Sequence, residues 1–151
     1  MLNQSHTILA VDDEPINLRL MERLLRRHFT VLTANNGEEA LEIVRREEIS
    51  LIITDQRMPG MQGTELLRKC MTIKPGMVSL VVTANNDTDT SIEAITTSGA
   101  IRVINKPWNP DQILKTIQDA LVVYERGEKN RKMISQLKQV NENLEQLAKR
   151  R

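Results

Sequence analysis

The chain has 151 residues and a net charge of +1, and its 40% hydrophobic and 27% charged residues are the balance of a soluble globular protein. This length allows one domain of ordinary size with an appendage, and the near-neutral charge gives no signature of nucleic-acid binding. The single cysteine, Cys70, excludes an intrachain disulfide and a CxxC metal site.

Targeting signals are not visible in the sequence. No apolar stretch approaches the length of a membrane span, and the N-terminus MLNQSHT lacks a signal-peptide pattern, so we expect a cytoplasmic protein. Cys70 lies on the apolar side of ELLRKCM, which predicts a buried thiol. Charge is uneven along the chain: residues 1–124 hold 13 Lys/Arg and 16 Asp/Glu, whereas residues 125–151 hold 8 and 4.

Five short apolar runs rich in β-branched residues alternate with segments of helical periodicity. The runs are TILAVD (7–12), FTVLTA (29–34), SLIITD (50–55), VSLVVTA (78–84) and IRVINK (101–106). Between them, INLRLMERLLRRH, GEEALEIVRREE and GTELLRKCMTI repeat apolar residues every three or four positions. This alternation predicts an α/β fold, a doubly wound parallel sheet with helices on both faces. Neither a GxGxxG nor a GxxxxGK[ST] fingerprint is present.

The fourth helical segment, DTDTSIEAITTSG (87–99), has few apolar residues and many Thr and Ser. Its helix propensity and its buried stripe are therefore both weak. Two interpretations stay open, a weak surface helix and an element that moves easily.

The last segment predicts a helix with Asn109 as N-cap and Pro110 at the first helical position. Further along, apolar residues recur at spacings of 4 and 3, after one asparagine: Asn130, Met133, Leu137, Val140, Leu144 and Leu147. This heptad pattern predicts the core of a coiled-coil dimer stalk, in which a buried Asn130 could set the register. The alternative is a solvated amphipathic tail, and Gly127 weakens helix continuity.

Polar residues stand at the carboxyl ends of the predicted strands, where doubly wound sheets bind ligands. Asp12 and Asp13 follow the first strand, Asp55 ends the third, Thr83 is near the end of the fourth, and Lys106 ends the fifth. Clustered carboxylates repel one another, so we expect the site to bind a cation. All-oxygen ligands favour Mg²⁺, beside which a carboxylate can attack phosphorus. Lys106 would then pair with the phosphoryl charge, and Thr83 could donate a hydrogen bond to it.

The motifs VDDE, TDQRMPGMQG, VTA and NKPW resemble those of the receiver domain of bacterial two-component response regulators, over residues 7 to about 124. The resemblance implies a flavodoxin-like sheet of strand order 2-1-3-4-5 with five helices. It also implies a receiver domain at 1–124, followed by a helical extension at 125–151.

Site roles follow from the same resemblance. Asp55 would accept a phosphoryl group from a phosphohistidine on a sensor histidine kinase or phosphotransfer protein. Asp13, Asp55 and the Arg57 backbone carbonyl would bind Mg²⁺ directly, and Asp12 would act through water. Thr83 would be the switch hydroxyl and Lys106 the phosphate partner, with a cis peptide bond between Lys106 and Pro107.

The sequence departs from the family at the signalling face, which is formed by the fourth helical segment, the fifth strand and the last helix. Many receivers have Tyr or Phe three residues before the lysine, but here that residue is Val103. Trp108 either packs at the start of the last helix or offers apolar surface on this face. In the family that this chain resembles, the positions of Arg57 and Asn85 border the phosphate and tune the phosphoryl lifetime.

The leading hypothesis is a phosphorylation-controlled switch, not an enzyme in its own right, that signals through this face and the last helix. We expect a homodimer through that helix. The chain is expected to be either part of a longer regulator, whose output domain would be a cyclic-di-GMP enzyme or a transcriptional regulator, or a stand-alone receiver that dimerises. One alternative is a Mg²⁺-dependent phosphatase with Asp55 as nucleophile. Arg57 opposes it, because such phosphatases usually have an acid/base Asp there. The other alternative is a coiled-coil adaptor with a vestigial pocket.

Overall fold

The computed structural model describes residues 6–84 and 102–150. Five parallel strands form one sheet in the order β2-β1-β3-β4-β5, which confirms the predicted flavodoxin-like topology. The strands are β1 (Thr7–Val11), β2 (Thr30–Ala34), β3 (Leu51–Asp55), β4 (Val78–Ala84) and β5 (Arg102–Lys106). The helices are α1 (Pro15–Leu25), α2 (Gly37–Arg46), α3 (Gly63–Ile73) and α4 (Pro110–Lys149). The weak helical segment predicted at 87–99 lies outside the described residues.

Side chains alternate between the two faces of the sheet, so each face has its own core. Ile8 and Ala10 of β1 pack with α1 and α4, whereas Leu9 and Val11 pack with α2 and α3. The third strand is buried along its whole length, as expected of a central parallel strand. Helices thus cover both faces, and the functional residues are left at the strand ends.

The last helix begins as predicted. The Asn109 side chain accepts hydrogen bonds from the backbone N–H groups of Asp111 and Gln112, and Pro110 is the first helical residue. Its residues Ile113, Ile117 and Leu121 are buried against the sheet. The whole helix is 40 residues long, and the low helix propensity of Gly127 does not interrupt it. No helix in the described ranges is long and apolar enough to cross a membrane.

Candidate functional site

The parallel register brings the strand ends to one edge of the sheet. Asp55 pairs with Val82, the residue before Thr83, and Ala84 pairs with Lys106. Asp12 directly follows β1, and its backbone N–H donates to the Ala34 carbonyl. The carboxylates, the hydroxyl and the ammonium predicted to converge therefore do lie along the same edge.

Asp55 is the most buried carboxylate of this edge, with 8% of its surface exposed. The Lys106 Nζ lies 2.8 Å from its Oδ1. Burial by itself lowers the pKa of the Lys106 ammonium, but the hydrogen bond to Asp55 and the charges of Asp55, Asp12 and Glu14 outweigh it, and the net pKa is raised. Lys106 therefore carries its charge into the site. The peptide bond that follows it, to Pro107, is cis.

Asp12, Asp13 and Asp55 form an acidic cluster. Each offers a carboxylate oxygen, and these oxygens all lie within 4.8 Å of one another. The Asp12 carboxylate is oriented by a hydrogen bond of 3.0 Å that its Oδ1 accepts from the Glu14 N–H. Burial, with the neighbouring charge of Asp55, raises the pKa of Asp12 despite that hydrogen bond.

This donor set fits a hard divalent cation. It consists of carboxylate oxygens, and among the described residues the cluster includes no histidine or cysteine. Receiver domains bind Mg²⁺ at such an acidic cluster, and this geometry is compatible with the same ion. Arg57 lies exposed in the loop two residues after Asp55, and the role of its carbonyl as a ligand stays a prediction.

Thr83 is nearly fully buried beside this edge. Its hydroxyl donates to the Ala84 carbonyl oxygen at 3.2 Å and lies 3.5 Å from Asn105 Oδ1. Asn105 is on β5, between Ile104 and Lys106, and sequence reasoning did not single it out. Asn85, predicted to border the phosphate, lies outside the described residues.

Trp108 is half-buried and packs on the core shared by α1 and α4, and Val103 packs partly on the opposite core. Trp108 also lines a small cavity together with Asp12, Asp55 and Lys106. Its indole is thus close enough to the acidic cluster to report on ligands there, in addition to packing at the start of α4.

Two residues that hold the Asp55 backbone were also missed. Gln56 is buried, its side-chain Oε1 accepts from the Thr64 N–H at 2.8 Å, and its carbonyl accepts from the Gly63 N–H. A Cβ at Gly63 would lie 2.4 Å from the Asp55 carbonyl oxygen, so only glycine lets the start of α3 approach this closely. For Gln56 the available signal was a glutamine directly after the acidic strand end.

A second polar cluster lies at the opposite edge of the sheet, where the strands begin. His6 is buried, and its Nε2 lies 2.8 Å from Glu125 Oε1 of α4 while its Nδ1 lies 3.1 Å from Ser50 Oγ. The His6 ring also meets the Tyr124 ring edge-on, with centroids 5.8 Å apart. No role was assigned to His6 from sequence; here it ties α4 to the sheet.

The sheet order together with the acidic edge and its lysine defines a flavodoxin-like signalling domain. A family model described as "Response regulator receiver domain" matches residues 8–118. The chain therefore belongs to the response regulator receiver domain family of two-component systems, whose function is phosphorylation-dependent signalling.

Several proteins are similar to this chain. The hydrogenase transcriptional regulatory protein HoxA of Cupriavidus necator is 34% identical over 121 residues, which are 80% of this chain and 25% of that protein. The transcriptional regulatory protein GlrR of Escherichia coli K12 is 35% identical over 115 residues, 76% of this chain and 26% of that protein. The chain thus spans about a quarter of the length of these curated relatives.

Solved structures with similar sequences share the fold of this chain. A structure described as adenylate cyclase from Rhodopirellula baltica superposes with a TM-score of 0.83 at 32% identity, over 89% of this chain and 98% of that one. A CheY-like response regulator receiver domain protein from Methanospirillum hungatei JF-1 has a TM-score of 0.76, also at 32% identity, over 80% of this chain and 97% of that one.

Proposed function

We propose that this chain is a phosphorylation-controlled switch in which Asp55 accepts a phosphoryl group from the phosphohistidine of a sensor histidine kinase. The observation that carries the proposal is the buried Asp55 at a rigid strand end, paired with Lys106 and grouped with Asp12 and Asp13. A surface carboxylate that only capped a helix would not need this combination of burial, ion pair and acidic neighbours.

The residues divide the chemistry among them. An Asp55 carboxylate oxygen attacks phosphorus, the bond from phosphorus to the donor nitrogen breaks, and the leaving imidazole keeps the electron pair and takes up a proton. Asp13, Asp55 and the Arg57 carbonyl would hold Mg²⁺ directly, and Asp12 would act through water. When bound, the ion would neutralise charge on the phosphoryl oxygens. Lys106 can exchange its contact with Asp55 for one with a phosphoryl oxygen.

The donor must reach Asp55 from the open side of this edge. Ile16 and Leu20 of α1 are large apolar residues with 63% and 48% of their surface exposed. Leu20, Lys106 and Trp108 line one shared groove. This exposed apolar surface supports docking of the phosphodonor on α1 and the loop after β5.

The signal would leave through Thr83 and β5. The Thr83 hydroxyl, which now donates to the Ala84 carbonyl, would turn to the new phosphoryl oxygen and give up its proximity to Asn105. Asn105 adjoins Lys106 on β5. The loss of the Thr83 contact with Asn105 and the new contact of Lys106 with the phosphoryl group would therefore both act on this strand. The signalling face and α4 would then respond, without a rotating aromatic at Val103.

Intact mass spectrometry after incubation with acetyl phosphate tests the proposal. We expect one added phosphoryl group on the wild type with Mg²⁺ and none with chelator or in Asp55→Asn. Asp119→Asn, a carboxylate exposed on α4, is the matched control and should react like the wild type. The absence of both an adduct and phosphate release from the wild type with Mg²⁺ would refute the acceptor assignment, and so would an adduct independent of Asp55.

A further inference from the structure

The distal half of α4 exposes one apolar stripe, formed by Met133, Leu137, Val140, Leu144 and Leu147. Each of these side chains has between 51% and 62% of its surface exposed. Apolar residues that recur on one side of a long helix in this way mark an interaction surface. From Met133 to Leu147 the stripe spans 15 residues, about two heptads, and Asn130 extends its core pattern by one further position.

The stripe points away from the receiver domain. A helix turns about 100° per residue, so these residues lie roughly opposite the side of α4 that carries Ile113, Ile117 and Leu121, which are buried on the sheet. A second helix can therefore approach the stripe without meeting the described sheet and helices of the same chain.

The contacts of α4 with the described part of the domain extend to Arg131, just before the stripe begins. The Arg131 guanidinium pairs with Glu128 and lies against Gly76, where a Cβ would be 2.6 Å from it. Every residue from Arg131 to Arg150 is itself largely exposed. The part of α4 from Pro110 to Arg131 therefore packs on the domain, and the stripe lies beyond this packed part.

Uncharged residues flank the stripe. With Leu137 and Met133 as core positions, the flanking positions between Met133 and Leu147 are Ile134, Gln136, Asn141 and Asn143, and the Lys and Glu residues between them are on the outer face. Lys129 is the flanking position beside Asn130, and the flanking position that faces it on a second copy is the uncharged Ile134. Self-pairing therefore brings no like charges together along the stripe, and an oppositely charged foreign helix gains nothing from these flanks.

We propose that the stripe binds the same stripe of a second copy of this chain, as a parallel, in-register, two-stranded coiled coil. In that arrangement Asn130 faces Asn130 of the second copy, and the two amides can hydrogen-bond. Antiparallel pairing would instead place Asn130 against apolar residues near the other end, and its amide would lose that partner. The core position before Asn130 is occupied by Arg126. Pairing there would bring the Arg126 side chains of two copies together, and their like charges would repel, so pairing starts at Asn130.

Oligomeric state tests the pairing, independently of the phosphoryl chemistry. Light scattering after gel filtration should give a dimer mass for the wild type and a monomer for Leu137→Glu, whose dissociation constant should rise about 100-fold or more. Gln139→Glu adds the same charge on the outer face and should remain dimeric. A cooperative urea-unfolding transition would show that each variant is folded. A monomeric wild type, or a larger oligomer, would overturn the proposal.

Crosslinking tests the orientation. Leu147→Cys should form a disulfide between copies under mild oxidation, because parallel in-register pairing puts the two core positions side by side. Antiparallel pairing would separate them by about 25 Å, given a rise of 1.5 Å per residue, and would leave the thiols free. Cys70 is fully buried and does not compete in the folded protein. A dimer that fails to crosslink at position 147 would refute the parallel arrangement.

Discussion

At the scale of single residues, Lys106 and the acidic cluster act on each other through charge. The Lys106 ammonium already occupies one oxygen of Asp55, so it competes electrostatically with a divalent cation for the same carboxylates. When a phosphoryl group is present, the same charge becomes an attractive partner for it. Lys106 is therefore expected to weaken cation binding and to favour phosphorylation.

Replacing Lys106 by methionine separates these two effects. We expect Lys106→Met to bind Mg²⁺ more tightly, by about fivefold for a change of roughly 1 kcal/mol at a partly exposed site. Phosphorylation by acetyl phosphate should nevertheless be slower. Fluorescence of Trp108, the sole tryptophan, measures Mg²⁺ binding beside the site. Weaker Mg²⁺ binding in this variant would contradict the account, and Lys115→Met, exposed on α4, is the control.

Gly63 tests the support beneath Asp55. In Gly63→Ala the new methyl group would clash with the Asp55 carbonyl oxygen and the Gln56 backbone, and we expect a loss of about 1–3 kcal/mol in the free energy of unfolding. Gly127→Ala is the matched control, because the nearest atom to its Cβ is 3.7 Å away within a helix. That change should stabilise the protein by about 0.5–1 kcal/mol. Urea unfolding measures the free energy of unfolding of both variants. Equal changes in Gly63→Ala and Gly127→Ala would contradict the close approach of Gly63 to the Asp55 carbonyl.

Burial also decides the behaviour of Cys70. Burial raises the pKa of its thiol to about 12, with a small opposing effect of Arg45. Since the thiolate is the reactive form, we expect no labelling by a thiol reagent at pH 8 in the folded protein and complete labelling in denaturant. Rapid labelling without denaturant would contradict the buried position of Cys70 on the core-facing side of α3.

At the scale of elements, sequence reasoning succeeds where a signal is local. The alternation of β-branched runs and helical periods predicted the strands, and Asn109 with Pro110 predicted the start of α4. The His6 contact could not be predicted, because its partner Glu125 is 119 residues away in the chain. Gly63 was missed for a similar reason: its constraint comes from the Asp55 carbonyl, and no local pattern reveals it.

The pair of His6 and Glu125 should contribute to anchoring α4. We expect His6→Ala and Glu125→Ala each to lower the free energy of unfolding, and the double variant to lose less than the sum. The coupling should be at least about 0.5 kcal/mol for residues in direct contact. Glu142→Ala, exposed on the distal part of α4, should be additive with His6→Ala. Additivity of His6→Ala with Glu125→Ala would contradict the anchor.

At the scale of the whole molecule, α4 connects the two edges of the sheet. It begins at Pro110, close to Lys106 and the acidic edge. At the other edge its residue Glu125 contacts His6, and the helix then continues to Lys149. At 40 residues it is about 60 Å long. A change at the acidic edge therefore has one rigid element along which it can reach the distal stripe.

Dimerisation through that stripe should couple stability to concentration. We expect the Tm of the wild type to rise with protein concentration, because association stabilises the folded state by mass action. The Tm of Leu137→Glu should be independent of concentration, while Gln139→Glu should behave like the wild type. Scanning calorimetry over a hundredfold concentration range measures this. A concentration-independent Tm in the wild type would contradict pairing.

The central claim is that Asp55 carries the phosphoryl group, and borohydride reduction tests it most directly. Borohydride converts an aspartyl phosphate, but not a free carboxylate, to homoserine. After phosphorylation with Mg²⁺ and reduction, we predict homoserine at position 55 in peptides sequenced by mass spectrometry. Asp12 and Asp13 should remain aspartate. Homoserine at one of those two positions, or aspartate retained at position 55 in a protein with a measured phosphoryl adduct, would contradict the account.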